Sequence, residues 1–218
     1  MHLGGHIANF DSMQVIGLSG LAGSGKDLFF NLAEKALSED GMSCSRYSLG
    51  DILKSETKQF ILDNYDIDIL NCSREEKDSV RPFLVAHGSV LRKQTRGRYF
   101  LDKMNKALYS NQDLPSVLFI TDIRYSEYER DEVFWLKNEL KGKLIHIKQF
   151  QLITNKYGLQ RHSYIAPPND AERTQDPIIQ EQADEFIVWQ KVDKTQVDKV
   201  LMPTVKDCLK KVLDYSVK

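Results

Sequence analysis

The chain has no run of about 18 apolar residues, so no membrane-spanning helix is expected. It has only three cysteines, Cys44, Cys72 and Cys208, scattered and without a CxxC spacing. That argues against a disulfide framework and fits reduced thiols in a cytoplasmic compartment. The five histidines form no HExxH pair and no zinc-type spacing with the cysteines. Charge of one sign is also lacking: 30 Lys and Arg against 31 Asp and Glu leave a net charge of −1. No overall basic field therefore draws the protein to nucleic acid or to an anionic membrane surface, although a local cationic cleft is still allowed. There is no internal repeat and no low-complexity tract. The opening MHLGGHIANFDS lacks the apolar core and basic flank of a signal peptide and reads as a loose extension over residues 1–12.

What is present is the material of one α/β domain over residues 13–218. Met13 to Ser19 is a short apolar run that enters a glycine-rich turn, as a buried strand does. After Lys26, apolar residues recur at helical spacing until Gly41. Cys44 to Leu49 reads as a second strand. Residues from about 51 to 110 are helical in texture, with a capping box at Ser73 and Glu76. Ser116 to Thr121 is a buried strand, Glu127 to Leu140 a charged helix, and Lys143 to Lys148 a further strand. Residues 154–175 are polar, contain Pro167-Pro168, and read as an irregular lid or a plain surface loop. Asp184 to Trp189 is the last strand. Val205, Cys208, Leu209, Val212 and Leu213 then line one helical face. Strands alternating with helices predict a mostly parallel, doubly wound sheet, with ligands at the carboxyl ends of its strands.

The loop after the first strand carries the sharpest motif. "GLAGSGKD" places four residues between Gly20 and the pair Gly25-Lys26. In such a loop the backbone N–H groups of Gly20, Ala22, Gly23, Ser24 and Gly25 turn inward around phosphate oxygens, and the helix N-terminus adds positive potential. Lys26 then reaches the β- and γ-phosphates as a point charge. Asp27 stands where a hydroxyl would hold magnesium. A carboxylate beside polyphosphate is repelled by about 4 kcal/mol per unit charge at roughly 4 Å and an effective dielectric near 20. A divalent ion between the two reverses that sign. Asp27 therefore either contacts magnesium or is an acidic residue favoured by the helix dipole.

Further along, "RPFLVAHGSVLRKQTRGRYF" holds Arg81, Arg92, Arg96 and Arg98. Arg81 and Arg92 are about three helical turns apart and share a face, with Gly88 between them. Arginine binds two phosphate oxygens at once, although a basic run is usually a solvated face. Asp122 ends the third candidate strand, where it either organises magnesium or caps a turn, and Arg124 follows it. Arg161, His162 and Arg173 lie in the candidate lid.

These blocks, in this order, resemble the deoxynucleoside monophosphate kinase family of bacteriophages and related bacterial genes. "GLSGLAGSGKD" is similar to its phosphate loop, where Asp after Lys is usual. "YSLGDILK" is similar to a block with Asp51 and Lys54, and "RPFLVAHGSVLR" to one with Arg81, Gly88 and Arg92. "ITDIRYSEYE" resembles a strand ending with Asp122 and Arg124, and "NDAERTQDPIIQEQADEFIVW" a closing segment with Glu172 and Asp184. The resemblance implies a P-loop NTP hydrolase fold with a doubly wound, parallel five-stranded sheet, a helical acceptor-binding region and a lid. It implies transfer of the ATP γ-phosphate to a deoxynucleoside 5′-monophosphate with magnesium, in the host cytoplasm if phage-encoded. Lys26, Arg92, Asp122, Arg161 and Arg173 would act in transfer, and Asp27 and Asp122 would organise the metal. Asp51, Lys54, Arg81, Gly88, Arg92, Tyr99 and Arg124 would line the acceptor site, the aromatic being Tyr99 or Phe100. Leu28 departs from the pattern, since a hydroxyl residue usually follows the Asp. So does Ser126-Glu127-Tyr128, in place of Pro-Asn-Glu. A homodimer, another small-molecule kinase (dephospho-coenzyme A or phosphomevalonate type) and a P-loop protein without an acceptor remain open alternatives.

Overall fold

The computed structural model describes residues 13–111 and 113–213; the extension read at residues 1–12 lies outside them. Strand β1 (Gln14–Ser19) leads through a glycine-rich loop into α1 (Lys26–Glu39), and β2 (Cys44–Ser48) follows. Three helices come next: α2 (Leu49–Tyr65), α3 (Arg74–Thr95) and α4 (Arg98–Ser110). Then come β3 (Val117–Ile123), the short α5 (Glu132–Phe134) running into a π-helical turn (Trp135–Glu139), and β4 (Lys143–Thr154). The chain continues with β5 (Gln160–Tyr164), α6 (Asp170–Glu181), β6 (Glu185–Gln190) and α7 (Val197–Val212).

Five strands are parallel in the order β2-β3-β1-β4-β6. This is a doubly wound P-loop α/β fold. Alternate residues of the buried strands feed two cores. Ile16, Leu18, Val117, Phe119, Ile145 and Ile187 pack with α1 and α7 on one face. Val15, Leu118, Ile120 and Leu144 pack with α4, the π-helical turn and Ile179 of α6 on the other. A smaller cluster of Ile61, Ile69, Val80 and Leu84 gives α2 and α3 a core of their own, so the pair stands as a wall beside the sheet.

Two elements differ from the sequence reading. The sheet has a sixth strand, because β4 continues to Thr154 and its far end pairs antiparallel with β5. Both faces of that hairpin are largely exposed, so β5 lacks the apolar alternation that marks a strand in sequence. Residues 154–175 are thus the hairpin turn, β5, a connecting loop and the first half of α6, so the segment is largely regular where the sequence reads as irregular. The helix read at Glu127 begins instead at Glu132. The Asp131 carboxylate accepts the backbone N–H groups of Glu127, Tyr128 and Glu132, which closes residues 127–131 into a capped loop.

Candidate active site

The turn from β1 into α1 is shaped by glycines that no other residue could replace in place. Gly20 has φ +125°, and a Cβ there would lie 2.2 Å from the Ile147 carbonyl oxygen. Gly25 has φ +97°, and a Cβ would lie 2.7 Å from the Trp189 ring. Trp189 also donates from Nε1 to the Ser24 carbonyl (3.0 Å), so this strand residue props the loop from below. Gly25 caps α1 without any side-chain hydrogen bond, which leaves the first N–H groups of the helix for an anion.

Lys26 is buried and its ammonium folds back on the loop, donating to the carbonyls of Gly20 (2.8 Å) and Leu21 (3.1 Å). Asp122 Oδ1 is 3.8 Å away. Burial, helped by the Arg124 guanidinium and opposed by Asp122, lowers the Lys26 pKa to about 8. Asp122 reaches this position through a bulge. Leu18 pairs with Thr121 but Ser19 pairs with Ile123, and the skipped Asp122 takes φ +65°. Burial pushes its carboxyl pKa up. The Arg124 and Lys26 cations and the Ser48 hydroxyl (2.8 Å) outweigh that and hold it well below the usual carboxylate range.

Arg124 is the hub behind Asp122. It donates to Asp122 Oδ1 (2.8 Å) and pairs with Glu172 Oε1 (2.7 Å). Glu172 Oε2 accepts the Ala22 N–H of the glycine-rich loop (3.2 Å). Asn169 caps α6 by accepting the Glu172 N–H, which fixes this carboxylate in the first helical turn. The closing segment is thereby tied to the loop.

A cleft of about 810 Å³ opens in front of these groups. Ala22, Gly23, Gly25, Lys26 and Asp27 line one wall, Asp122 and Arg124 the floor, and α2 and α3 the opposite wall with Asp51, Lys54, Arg81 and Gly88. Three groups missed in the sequence also line it. Arg46 of β2 donates to Asp27 (2.7 Å) and lies 3.6 Å from Asp51, which in turn pairs with Lys54 (2.5 Å). Lys77 is half-buried. Its burial and the nearby Lys54 lower its pKa, and no ion pair engages it among the described residues. Glu132 is buried, accepts the backbone N–H groups of Arg124 (2.6 Å) and Tyr125 (3.1 Å), and has its pKa pushed up by burial to about 7.

Arg92 has a structural engagement that the sequence did not show. It lines the cleft, but both its ends are engaged: it donates to Asp131 (2.7 Å) and Glu132 (2.9 Å). Its guanidinium lies 3.6 Å from the Tyr125 ring centroid. Held by these two carboxylates, Arg92 anchors the loop after β3. Arg161 sits exposed on β5 opposite Ile153 and does not line the cleft. Arg173 points outward from the first turn of α6 and pairs with Asp170 (2.9 Å). Tyr99 is also outside the cleft, its ring beside the Lys103 ammonium; Phe100 lines the cleft instead. Gly20 and Ser24 shape the loop without lining the cleft.

No group of three or more His, Cys, Asp or Glu could hold a metal by itself among the described residues. Asp27 is 81% exposed with only Arg46 on it, whereas both Asp122 oxygens already accept hydrogen bonds. The set suits magnesium shared with ligand phosphates, which leaves most of its coordination to phosphate and water. The absent hydroxyl at position 28 has a structural reason: Leu28 packs on the core under α1 and does not line the cleft.

No protein-family model matches the chain, and no curated protein matches it. Among solved structures, the chain is similar to shikimate kinase from Acinetobacter baumannii in complex with shikimate. The identity is 14%, 94% of this chain and 98% of that one are covered, and the TM-score is 0.41.

Proposed function

We propose that the protein is an ATP- and magnesium-dependent kinase whose acceptor is a small phosphate-bearing molecule, a deoxynucleoside 5′-monophosphate by the family resemblance. One observation carries this reading. A single cleft has two separate groups of cations on facing walls: Lys26 with the uncapped amides of α1, and on α2 and α3 Lys77 with Lys54 and Arg81, the last two paired with Asp51 and Asp78 (each 2.5 Å). One group suits the donor's phosphates and the other an acceptor's phosphate. A nucleotide-hydrolysing switch would have no use for the second.

When bound, ATP supplies the phosphoryl group, and magnesium supplies charge neutralisation. The chain supplies position and electrostatics. Lys26 moves from the loop carbonyls onto the transferred phosphate, where a fixed cation stabilises developing charge. Asp27, now on Arg46, would hold the metal, and Asp122 with Arg124 sets the floor on which the two phosphates meet. An acceptor phosphate oxygen bonds to the γ-phosphorus, the bond to the β,γ-bridging oxygen breaks, and ADP leaves. The apolar part of the cleft, with Leu53, Leu84, Val85 and Phe100, has room for a ring system beside the acceptor phosphate.

The test is an ADP-release assay across deoxy- and ribonucleoside monophosphates, followed by other phosphate-bearing acceptors. Turnover with one or more deoxynucleoside monophosphates is expected. Turnover only with an acceptor of another kind assigns the same cleft to a different small-molecule kinase. ATP hydrolysis that no acceptor alters overturns the kinase reading.

A further inference from the structure

Helix α3 buries Val80, Leu84, Gly88 and Arg92. Half a turn away, Glu75, Ser79, Pro82, Ala86, Val90 and Lys93 are exposed, and Phe83 is half-buried. At about 3.6 residues per turn these seven positions fall on one stripe, roughly 27 Å long at about 1.5 Å per residue. None of them lines the cleft.

The stripe carries no charge from Ser79 to Val90, in a chain of which 28% is charged. Its apolar surface continues onto α2. Phe60, 48% exposed, stacks on Phe83 with ring centroids 4.9 Å apart, and Phe83 stacks on His87 at 5.9 Å. Such contiguous exposed apolar surface marks an interaction site more often than a solvated face. The charges stand only at the ends, Glu75 at the start and Lys93 near the finish. Neither is engaged in an ion pair among the described residues.

We infer that this face of α3 is a self-association surface, on which a second copy of the chain packs its own α3 antiparallel about a two-fold axis level with Leu84. The charge pattern selects this occupant. The antiparallel arrangement sets Glu75 of each copy opposite Lys93 of the other, and Pro82 opposite Ala86. It also aligns the two helix dipoles favourably. A parallel arrangement would set like charges together. The small side chains of Ser79 and Ala86 let the helices approach to the usual 8–10 Å at a crossing near 20°. The two clefts stay open to solvent because the stripe faces away from them.

Sedimentation equilibrium of the full chain tests this surface. The wild-type chain is expected to show a monomer–dimer equilibrium. Ala86→Glu, which places two like charges beside the axis, should shift it to monomer with an unchanged far-UV spectrum. Lys93→Glu should weaken the dimer about tenfold, since two rim pairs turn from attraction to repulsion. Adding Glu75→Lys to Lys93→Glu restores opposite charges and should recover most of that loss. A wild-type chain that stays monomeric at all concentrations overturns the inference. So does a dimer indifferent to Ala86→Glu, or a double reversal no tighter than the single one.

Discussion

At the scale of single residues, the charges of the cleft decide both chemistry and stability. Lys26 ordinarily titrates near 10.5 and does so at about 8 in the folded chain. Between those values the unfolded chain holds a proton that the folded chain has lost, so folding stability rises with pH across that window. Lys26→Met removes this contribution. Relative to wild type the variant should therefore be most stable near neutral pH, with the advantage shrinking by about pH 10. Thermal unfolding at the two pH values reads this directly, and an offset independent of pH would contradict the burial argument. The same variant should lose at least about 100-fold in phosphoryl transfer.

Arg92 calls for a different expectation. If it anchors Asp131 and Glu132, Arg92→Ala leaves two buried carboxylates without their cation and should cost about 3–5 kcal/mol of stability. Urea unfolding would show this. A residue that merely gripped substrate would instead leave the unfolding midpoint in place and raise only the acceptor KM. The Asp131–Glu132 pair had no signal in the sequence. It is contiguous charge in a charged stretch, and only the fold brings Arg92, 39 residues away from Asp131, against it.

At the scale of elements, the loop between β1 and α1 depends on β6. Trp189 props the loop through Ser24, so its indole should respond when phosphates order the loop. Nucleotide titration followed by tryptophan fluorescence should give a saturable change in wild type. Trp189→Phe should lose it, since the other tryptophan, Trp135, is buried under the far side of the sheet. An unchanged signal in that variant would place the response elsewhere. The loop itself was legible in sequence because its glycines and Lys26 are local features. The prop was not: Trp189 read only as the end of an apolar strand, and its partner lies 165 residues away. The hairpin of β4 and β5 escaped for the opposite reason. It buries little, so it has no apolar period to read.

At the scale of the whole molecule, the proposed phosphoryl transfer depends on two walls facing each other across one cleft. Lys77 stands on the wall proposed to hold the acceptor, without an ion-pair partner among the described residues, beside Lys54 and Arg81. Lys77→Ala should raise the acceptor KM about tenfold or more while leaving the KM for ATP nearly unchanged, because removing one cation weakens one phosphate site and not the other. Steady-state kinetics varying each substrate in turn would separate the two. Equal changes in both would merge the sites. α3 carries this wall on one side and the proposed association surface on the other, so the two roles can be altered independently.

The sequence by itself determined what is local. Apolar runs alternating with amphipathic helices imposed the parallel sheet and its two helix layers, the glycine spacing imposed the turn from β1 into α1, and Ser73 with Glu76 imposed the start of α3. Tertiary structure alone decided which charges are available. Arg92 is engaged by a distant pair, Asp27 is held by Arg46, Arg161 and Arg173 face solvent, and Lys77 is left unpaired in the cleft. The physical reason is range. Hydrophobic period and backbone conformation are set by neighbours a few residues apart, whereas a charge is free or engaged according to what lies within a few ångströms in space.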